Sequence, residues 1–368
     1  MAMNRLLIII LSLLIFIAFS IHVHAQKTDT GISEPPYIYW LDGKLHAKWV
    51  ENGKLKHQEN LNLDFPKKYL GLGVDTEVLT NSFLKTAGTT QKYSKVSNIT
   101  VISDIHGQYD LMVELLKNQG VIDENLNWKY GKGHLVINGD ILDRGDKVTE
   151  ILWLAFKLEQ QAIKAGGKLH YLLGNHELMV LTGDHRYMNQ KYVQAAEIMG
   201  TSFTDLYGFN SVLGHWIRQC PTIVSINDLL FVHAGISPEF FNRGYDAKKV
   251  NKIFFDQILS PLPIKPNQEE DYLFLTGVDG PVWYRGYFEE GALTEQFIDE
   301  TLAFFKTNRI IVGHTSFETV TTHFGGKIIG VDSSVKNGEY GEVLIIENGI
   351  KFRGTKSGER IKLEANTD

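Results

Sequence analysis

Five short segments of this 368-residue chain carry side chains able to hold cations and move protons. They are Ser103-Asp104-Ile105-His106-Gly107, Gly139-Asp140-Ile141-Leu142-Asp143-Arg144-Gly145, Gly174-Asn175-His176-Glu177, Val232-His233-Ala234-Gly235 and Gly313-His314-Thr315. Carboxylate, imidazole and amide donors gathered together make a cation site of borderline character, suited to Mn, Fe or Zn. Ligands enough for two cations, one ligand shared, suit a two-metal hydrolase. Each segment alone has a plainer reading. Asp-x-His after a strand can be a helix cap and a turn. Gly-Asn-His-Glu can be a turn, and His233 or His314 a hydrogen-bonded core histidine. Their joint occurrence, each after an apolar run and with glycines that let backbones approach, argues for a single site.

Convergence needs a scaffold. Residues 99–103, 134–138, 169–173 and 309–312 read as buried strands, and 223–232 as two strands around Asn227-Asp228. Residues 109–117, 146–165, 247–259 and 294–306 read as helices. That alternation predicts an α/β fold with helices on the sheet faces. Side chains at strand C-termini of such a sheet meet in one crevice. Residues 178–216 look like a helical insertion over the site, where Arg186, Tyr187 and Tyr192 are candidates for a substrate groove or for solvated helix faces. Residues 260–282 hold Pro261, Pro263, Pro266 and Pro281 and read as a loop. Asp332 follows an apolar run, as a second-layer site residue or as a turn. His134, His170, His185, His215 and His323 lack a motif and read as structural.

Asp104-x-His106-Gly107, Gly139-Asp140-x-x-Asp143-Arg144-Gly145 and Gly174-Asn175-His176-Glu177 resemble the signature blocks of the phosphoprotein phosphatases, within the calcineurin-like metallophosphoesterases. The resemblance runs from about residue 98 to 332. Val282-Trp283-Tyr284-Arg285-Gly286 looks like the Shewanella-like branch. His233-Ala234-Gly235 and Gly313-His314-Thr315 depart from the eukaryotic enzymes' His-Gly-Gly and Ala-His-Gln, which leaves the substrate class open. The resemblance implies a β-sandwich flanked by helices (α/β/β/α). It implies that Asp104 and His106 hold a first divalent metal ion, that Asp140 bridges, and that Asn175, His233 and His314 hold a second. It implies that Arg144 and Arg285, with Asn175 and His176, bind the substrate phosphate. His176 would protonate the leaving oxygen, with Asp143 orienting its ring, and a metal-bridging hydroxide would attack directly.

A phosphate monoesterase acting on a phosphorylated protein or a small phosphate ester is the expected activity. A phosphodiesterase or dinucleoside polyphosphate hydrolase is the alternative. Diesterase branches often carry Gly-His-x-His in the last block, and Ser316 stands where the second histidine would be. A phosphate-binding module without catalysis would lack a ligand or an acid, and none is missing.

Composition bounds the rest. A net charge of −6 offers no basic surplus for nucleic acid. Residues 1–25 have a short basic start, an apolar run over 6–21 and small residues before Gln26. That is the layout of a secretory signal peptide cleaved after Ala25, leaving a periplasmic or secreted protein with no stable membrane anchor; the rival reading is an uncleaved anchor, for which the apolar run is short of the roughly 20 residues a bilayer span needs. Cys220 is the single cysteine, so no internal disulfide forms. Residues 26–36 read as a flexible leader. Two hairpin signals, Asp42-Gly43 and Asn52-Gly53, predict a small β-meander over 37–65, its aromatics serving for packing. A connecting segment covers 66–97, the catalytic domain 98–355 and a tail 356–368.

Overall fold

The computed structural model describes residues 31–62, 64–71, 76–82 and 91–364. The expected export segment and its cleavage point lie outside the described residues. Strands β1 (Glu34–Leu41), β2 (Lys44–Glu51) and β3 (Lys54–Gln58) form an antiparallel sheet. Asp42 and Asn52, with φ of 50° and 51°, each precede a glycine of positive φ, as tight hairpin turns require. The meander is therefore present, but it starts at Glu34, inside the expected leader.

Twelve further strands follow among the described residues: β4 (Lys92–Tyr93), β5 (Asn98–Ile102), β6 (His134–Ile137), β7 (Lys168–Tyr171), β8 (Ile223–Ile226), β9 (Leu229–Val232), β10 (Arg309–Val312), β11 (Thr321–His323), β12 (Ile328–Gly330), β13 (Glu342–Glu347), β14 (Ile350–Thr355) and β15 (Arg360–Lys362). They build two six-stranded sheets, ordered β15-β14-β13-β5-β6-β7 and β11-β12-β10-β9-β8-β4. β5, β6 and β7 run parallel, as do β9, β10 and β12.

Side chains of a strand alternate between its faces, and that alternation makes two cores here. Ile99, Val101 and Val136 of one sheet pack with Val224, Leu229, Phe231 and Ile311 of the other. Their sequence neighbours Ile102, Leu135, Ile137, Leu230 and Ile310 join a second cluster with Leu115, Ile151, Leu152 and Ile298 from the helices Tyr109–Asn118, Val148–Ala165 and Glu295–Phe305. The layers are thus helix, sheet, sheet, helix. Burying each aliphatic side chain contributes about 1.5–3 kcal/mol, and both strand faces supply it, so these strands are apolar throughout.

The meander docks on this body through Glu34. Its buried carboxylate takes a hydrogen bond from Thr149 Oγ1 (2.5 Å) and Tyr37 OH (2.8 Å) and pairs with Lys191 Nζ (2.7 Å). Trp49 packs 5.7 Å from the Phe65 ring, a packing role as expected.

Three features differ from the sequence reading. Residues 260–282 are not all loop: a helix spans Glu269–Leu275. Pro266 opens the preceding 3-10 turn and Glu269, Glu270 and Asp271 fill the first helical turn, so the prolines mark a helix start rather than its absence. The tail is not all tail, because β15 pairs with β14. The expected helix over 247–259 is Ala247–Ile253 followed by a π-turn, Phe254–Ile258. No helix among the described residues is long and apolar enough to cross a membrane.

Candidate metal centre

Five strand ends deliver the site. Asp104 follows β5, Asp140 follows β6, Asn175 follows β7, His233 follows β9 and His314 follows β10. The first two loops are zipped together by their backbones: His106 N donates to Asp140 O (3.0 Å), Gly107 N to Ile141 O (3.1 Å) and Gly145 N to His106 O (2.9 Å). A Cβ on Gly107 would lie 2.7 Å from the Gly145 carbonyl carbon, so this approach requires glycine. Gly139 is similar, because a Cβ there would lie 2.5 Å from His233 Nδ1.

Six site residues hold left-handed backbone conformations: Asp104, His106, Asp140, Asp143, Arg144 and His314, with φ between 45° and 70°. Such conformations cost of order 1–3 kcal/mol each and persist where the surroundings over-determine them. Glu177 is a large part of those surroundings. Its buried carboxylate accepts from Asp140 N (2.8 Å), Ile141 N (2.9 Å), Leu142 N (3.1 Å), Gly174 N (2.8 Å) and Tyr171 OH (2.8 Å).

Asp140 is the hub. Its Oδ2 lies 3.5 Å from His106 Nε2, 3.3 Å from His233 Nε2 and 4.0 Å from His176 Nε2. Two ligand triads share it, His106–Asp140–His176 and Asp140–His233–His314, the donor atoms of each within 4.8 Å of one another. Asn175 Oδ1 sits 3.1 Å from His233 Nε2. Asp104 lies at the same site. Its Oδ2 accepts from the His314 amide (3.0 Å) and from Ser103 Oγ (2.6 Å). That engagement turns one Asp104 oxygen toward the His314 loop.

The imidazoles are oriented as cation ligands. Carbonyl oxygens fix one nitrogen of each: Leu142 O on His106 Nδ1 (2.7 Å), Asn138 O on His233 Nδ1 (2.7 Å) and Trp283 O on His314 Nε2 (3.1 Å). Each such nitrogen carries the proton, so the other keeps its lone pair. His106 Nε2 is buried with no hydrogen-bond partner, which a cation would supply. Burial lowers His106 to about 3 and His314 to about 2, so both are neutral. Burial opposes charge on His233 too, yet the Asp140 carboxylate and its hydrogen bond raise it to about 10. Burial also opposes charge on Asp140, but His233 and His176 hold it well below the usual carboxylate range. A proton and a cation compete for the same His233 lone pair. The donor set therefore fits divalent cations.

A second group adjoins the triads. His176 Nδ1 lies 2.7 Å from Asp143 Oδ2, both side chains buried, and His176 Nε2 is 3.4 Å from Arg144 Nη2. Arg144 is exposed beside His176, and Arg285 is exposed beside His314, its Nη1 donating to His314 O (3.0 Å) and Thr315 Oγ1 (3.2 Å). All ten sequence-predicted residues thus meet in one region. Asp332 is buried against Ser316 Oγ (2.6 Å); burial, and after it the nearby Asp332 carboxylate, raises Asp104 well above the usual range. Tyr192 is core, its hydroxyl accepting from Val148 N (2.7 Å). His134 and His170 bond each other (2.9 Å) away from the site. Burial pushes the Cys220 thiol up, which disfavours a thiolate nucleophile. Of the candidates for a substrate groove, Tyr187 lies beside the site, its ring centroid 5.1 Å from that of His176, and Glu177, quoted within a motif, had no role assigned by the sequence because most of its partners lie more than thirty positions upstream.

Comparison with known proteins agrees with this geometry. Residues 97–316 match the model of the calcineurin-like phosphoesterase family. A cold-active protein-tyrosine phosphatase of a psychrophilic Shewanella superposes with a TM-score of 0.81 at 37% identity, covering 90% of this chain and 100% of that one. Shewanella-like protein phosphatase 1 of Plasmodium berghei is 28% identical over 68% of this chain and 69% of its own. A symmetrical bis(5'-nucleosyl)-tetraphosphatase of Vibrio cholerae is 28% identical over 38% of this chain and 45% of its own. The family match spans more than half of the chain and includes all five strand-end loops, so the protein belongs to the calcineurin-like phosphoesterases and is a phosphatase of the metallophosphoesterase superfamily.

Proposed function

We propose that this protein is an exported phosphatase that hydrolyses phosphate monoesters. The observation that carries this reading is the His176–Asp143 pair, buried at 2.7 Å beside Arg144, with His176 Nε2 4.0 Å from the shared Asp140 carboxylate. An ester oxygen is a poor leaving group and needs a proton as it departs. Asp143 fixes the ring through Nδ1, which aims Nε2 at the place where that oxygen emerges. Asp104, His106, Asp140, Asn175, His233 and His314 would hold two divalent cations. When bound, such cations activate water as a nucleophile and neutralise charge on the phosphoryl oxygens. Arg144 and Arg285 present planar forks of donors to two phosphate oxygens at once. No serine or cysteine nucleophile is involved. Export rests on the apolar segment ahead of Gln26.

The relatives leave two classes of substrate in view, phosphorylated proteins and dinucleoside polyphosphates. The acid pair favours the first, since an alkyl or aryl oxygen needs it more than a nucleotide phosphate does. Rates of the divalent-loaded protein on phosphotyrosine and phosphothreonine peptides, an aryl phosphodiester and a dinucleoside tetraphosphate test this. The expected result is turnover of a phosphopeptide at least about tenfold faster than of either diester or anhydride, consistent with a general acid worth 10²–10⁴-fold. Faster cleavage of the tetraphosphate would overturn it.

A further inference from the structure

We propose that Tyr187 is the surface on which the leaving group rests, and that it biases the site toward aryl phosphate monoesters. The proposal builds on the monoesterase reading and on three observations. First, Tyr187 is 46% exposed although its ring centroid lies only 5.1 Å from that of His176, a buried residue. The ring thus touches the buried imidazole while the rest of it faces outward. Second, its backbone is locked to the phosphate-binding loop. Arg144 N donates to Tyr187 O (2.9 Å) and Asn189 Nδ2 donates to Arg144 O (2.8 Å). Third, two guanidinium groups lie within cation–π range of the ring, Arg144 at 5.5 Å and Arg186 at 5.9 Å from its centroid. Arg186 is itself held by Asp184 (2.7 Å).

Geometry then fixes what the ring meets. The leaving oxygen must be within hydrogen-bond reach of His176 Nε2. Arg144, 3.4 Å from that nitrogen, marks the phosphoryl side. The carbon skeleton beyond the oxygen must pass the exposed neighbour of the imidazole, which is Tyr187. A flat, exposed aromatic ring packs well against another aromatic ring, edge-on or offset, and gains little from a short alkyl chain. Such aromatic pairs are worth about three- to tenfold in affinity.

The test uses the divalent-loaded protein with Tyr187→Ala and Tyr187→Phe. Two readouts are taken: kcat/KM on phenyl phosphate and glycerol phosphate, and binding of phenylphosphonate and methylphosphonate by calorimetry. Tyr187→Ala is expected to lower kcat/KM on phenyl phosphate by about three- to tenfold more than on glycerol phosphate. It should weaken phenylphosphonate by a similar factor and leave methylphosphonate alone, while Tyr187→Phe stays near wild type. Equal losses on both esters and both phosphonates would show that Tyr187 acts only by placing Arg144, and would overturn the proposal, as would no loss at all. If the wild-type protein cleaves neither ester, the monoesterase reading fails, and the phosphonate pair still decides the role of Tyr187.

Discussion

His176→Asn and Asp143→Asn each lower turnover on an alkyl phosphate monoester by at least about 10²-fold, the worth of a positioned general acid. Divalent cation content stays at the wild-type level in both. The reasoning starts from the ring's two nitrogens. Nδ1 is engaged by Asp143 Oδ2 at 2.7 Å inside the protein, so the imidazole does not rotate freely. Nε2 faces Arg144 at 3.4 Å and the Asp140 carboxylate at 4.0 Å. That nitrogen either gives a proton to the departing oxygen or holds a cation with His106 and Asp140. The two roles separate cleanly. A proton donor matters in proportion to the basicity of the leaving group, so the loss should shrink on p-nitrophenyl phosphate, whose leaving oxygen needs little help. A ligand's removal would cost cations and reduce both substrates alike. Elemental analysis of the variants, beside rates on the two esters, checks this. Unchanged turnover, or loss of cations from His176→Asn, would remove His176 from the acid role.

Glu177→Ala destabilises the fold by at least about 3 kcal/mol, because it strips one acceptor pair from five donors. Those donors are the amides of Asp140, Ile141, Leu142 and Gly174 and the Tyr171 hydroxyl. Water entering the void would restore some of these bonds, yet each unsatisfied buried donor costs about 1–3 kcal/mol. Against a total stability of about 5–15 kcal/mol the loss is large. Glu177→Gln is the milder change, since one carbonyl oxygen remains while the amide faces donors it cannot accept from. Urea unfolding of the cation-free protein measures the effect without contribution from ligand binding. A shift below about 1 kcal/mol would mean that the Asp140 loop holds its left-handed backbone unaided.

The legibility of this protein in its sequence follows from the range of the interactions involved. The buried strands were readable because both faces carry apolar side chains, and the polar loops were readable because they begin where each apolar run stops. Asp104, Asp140, Asn175, His233 and His314 needed nothing more than that. The two-sheet layering was a different matter: alternation alone indicated one α/β sheet, and the sandwich came from the family resemblance. Glu177 shows where local reading stops. A glutamate after a histidine looks like a helix first-turn residue, and its real partners lie more than thirty positions upstream as well as next to it. The Asp104 carboxylate also accepts from the His314 amide, 210 positions away, a contact that no local pattern signals. The helix Glu269–Leu275 was hidden by prolines that happen to sit at its entrance. β4 and β11, of two and three residues, are too short to leave a periodic signal.

Elemental analysis of the active, full-length protein tests the central claim most directly. Donors gathered on both sides of Asp140 predict two equivalents of divalent cation per chain, lost together with activity on chelation and regained on adding Mn, Fe or Zn. A fully active protein that holds no divalent cation would contradict the account at its base.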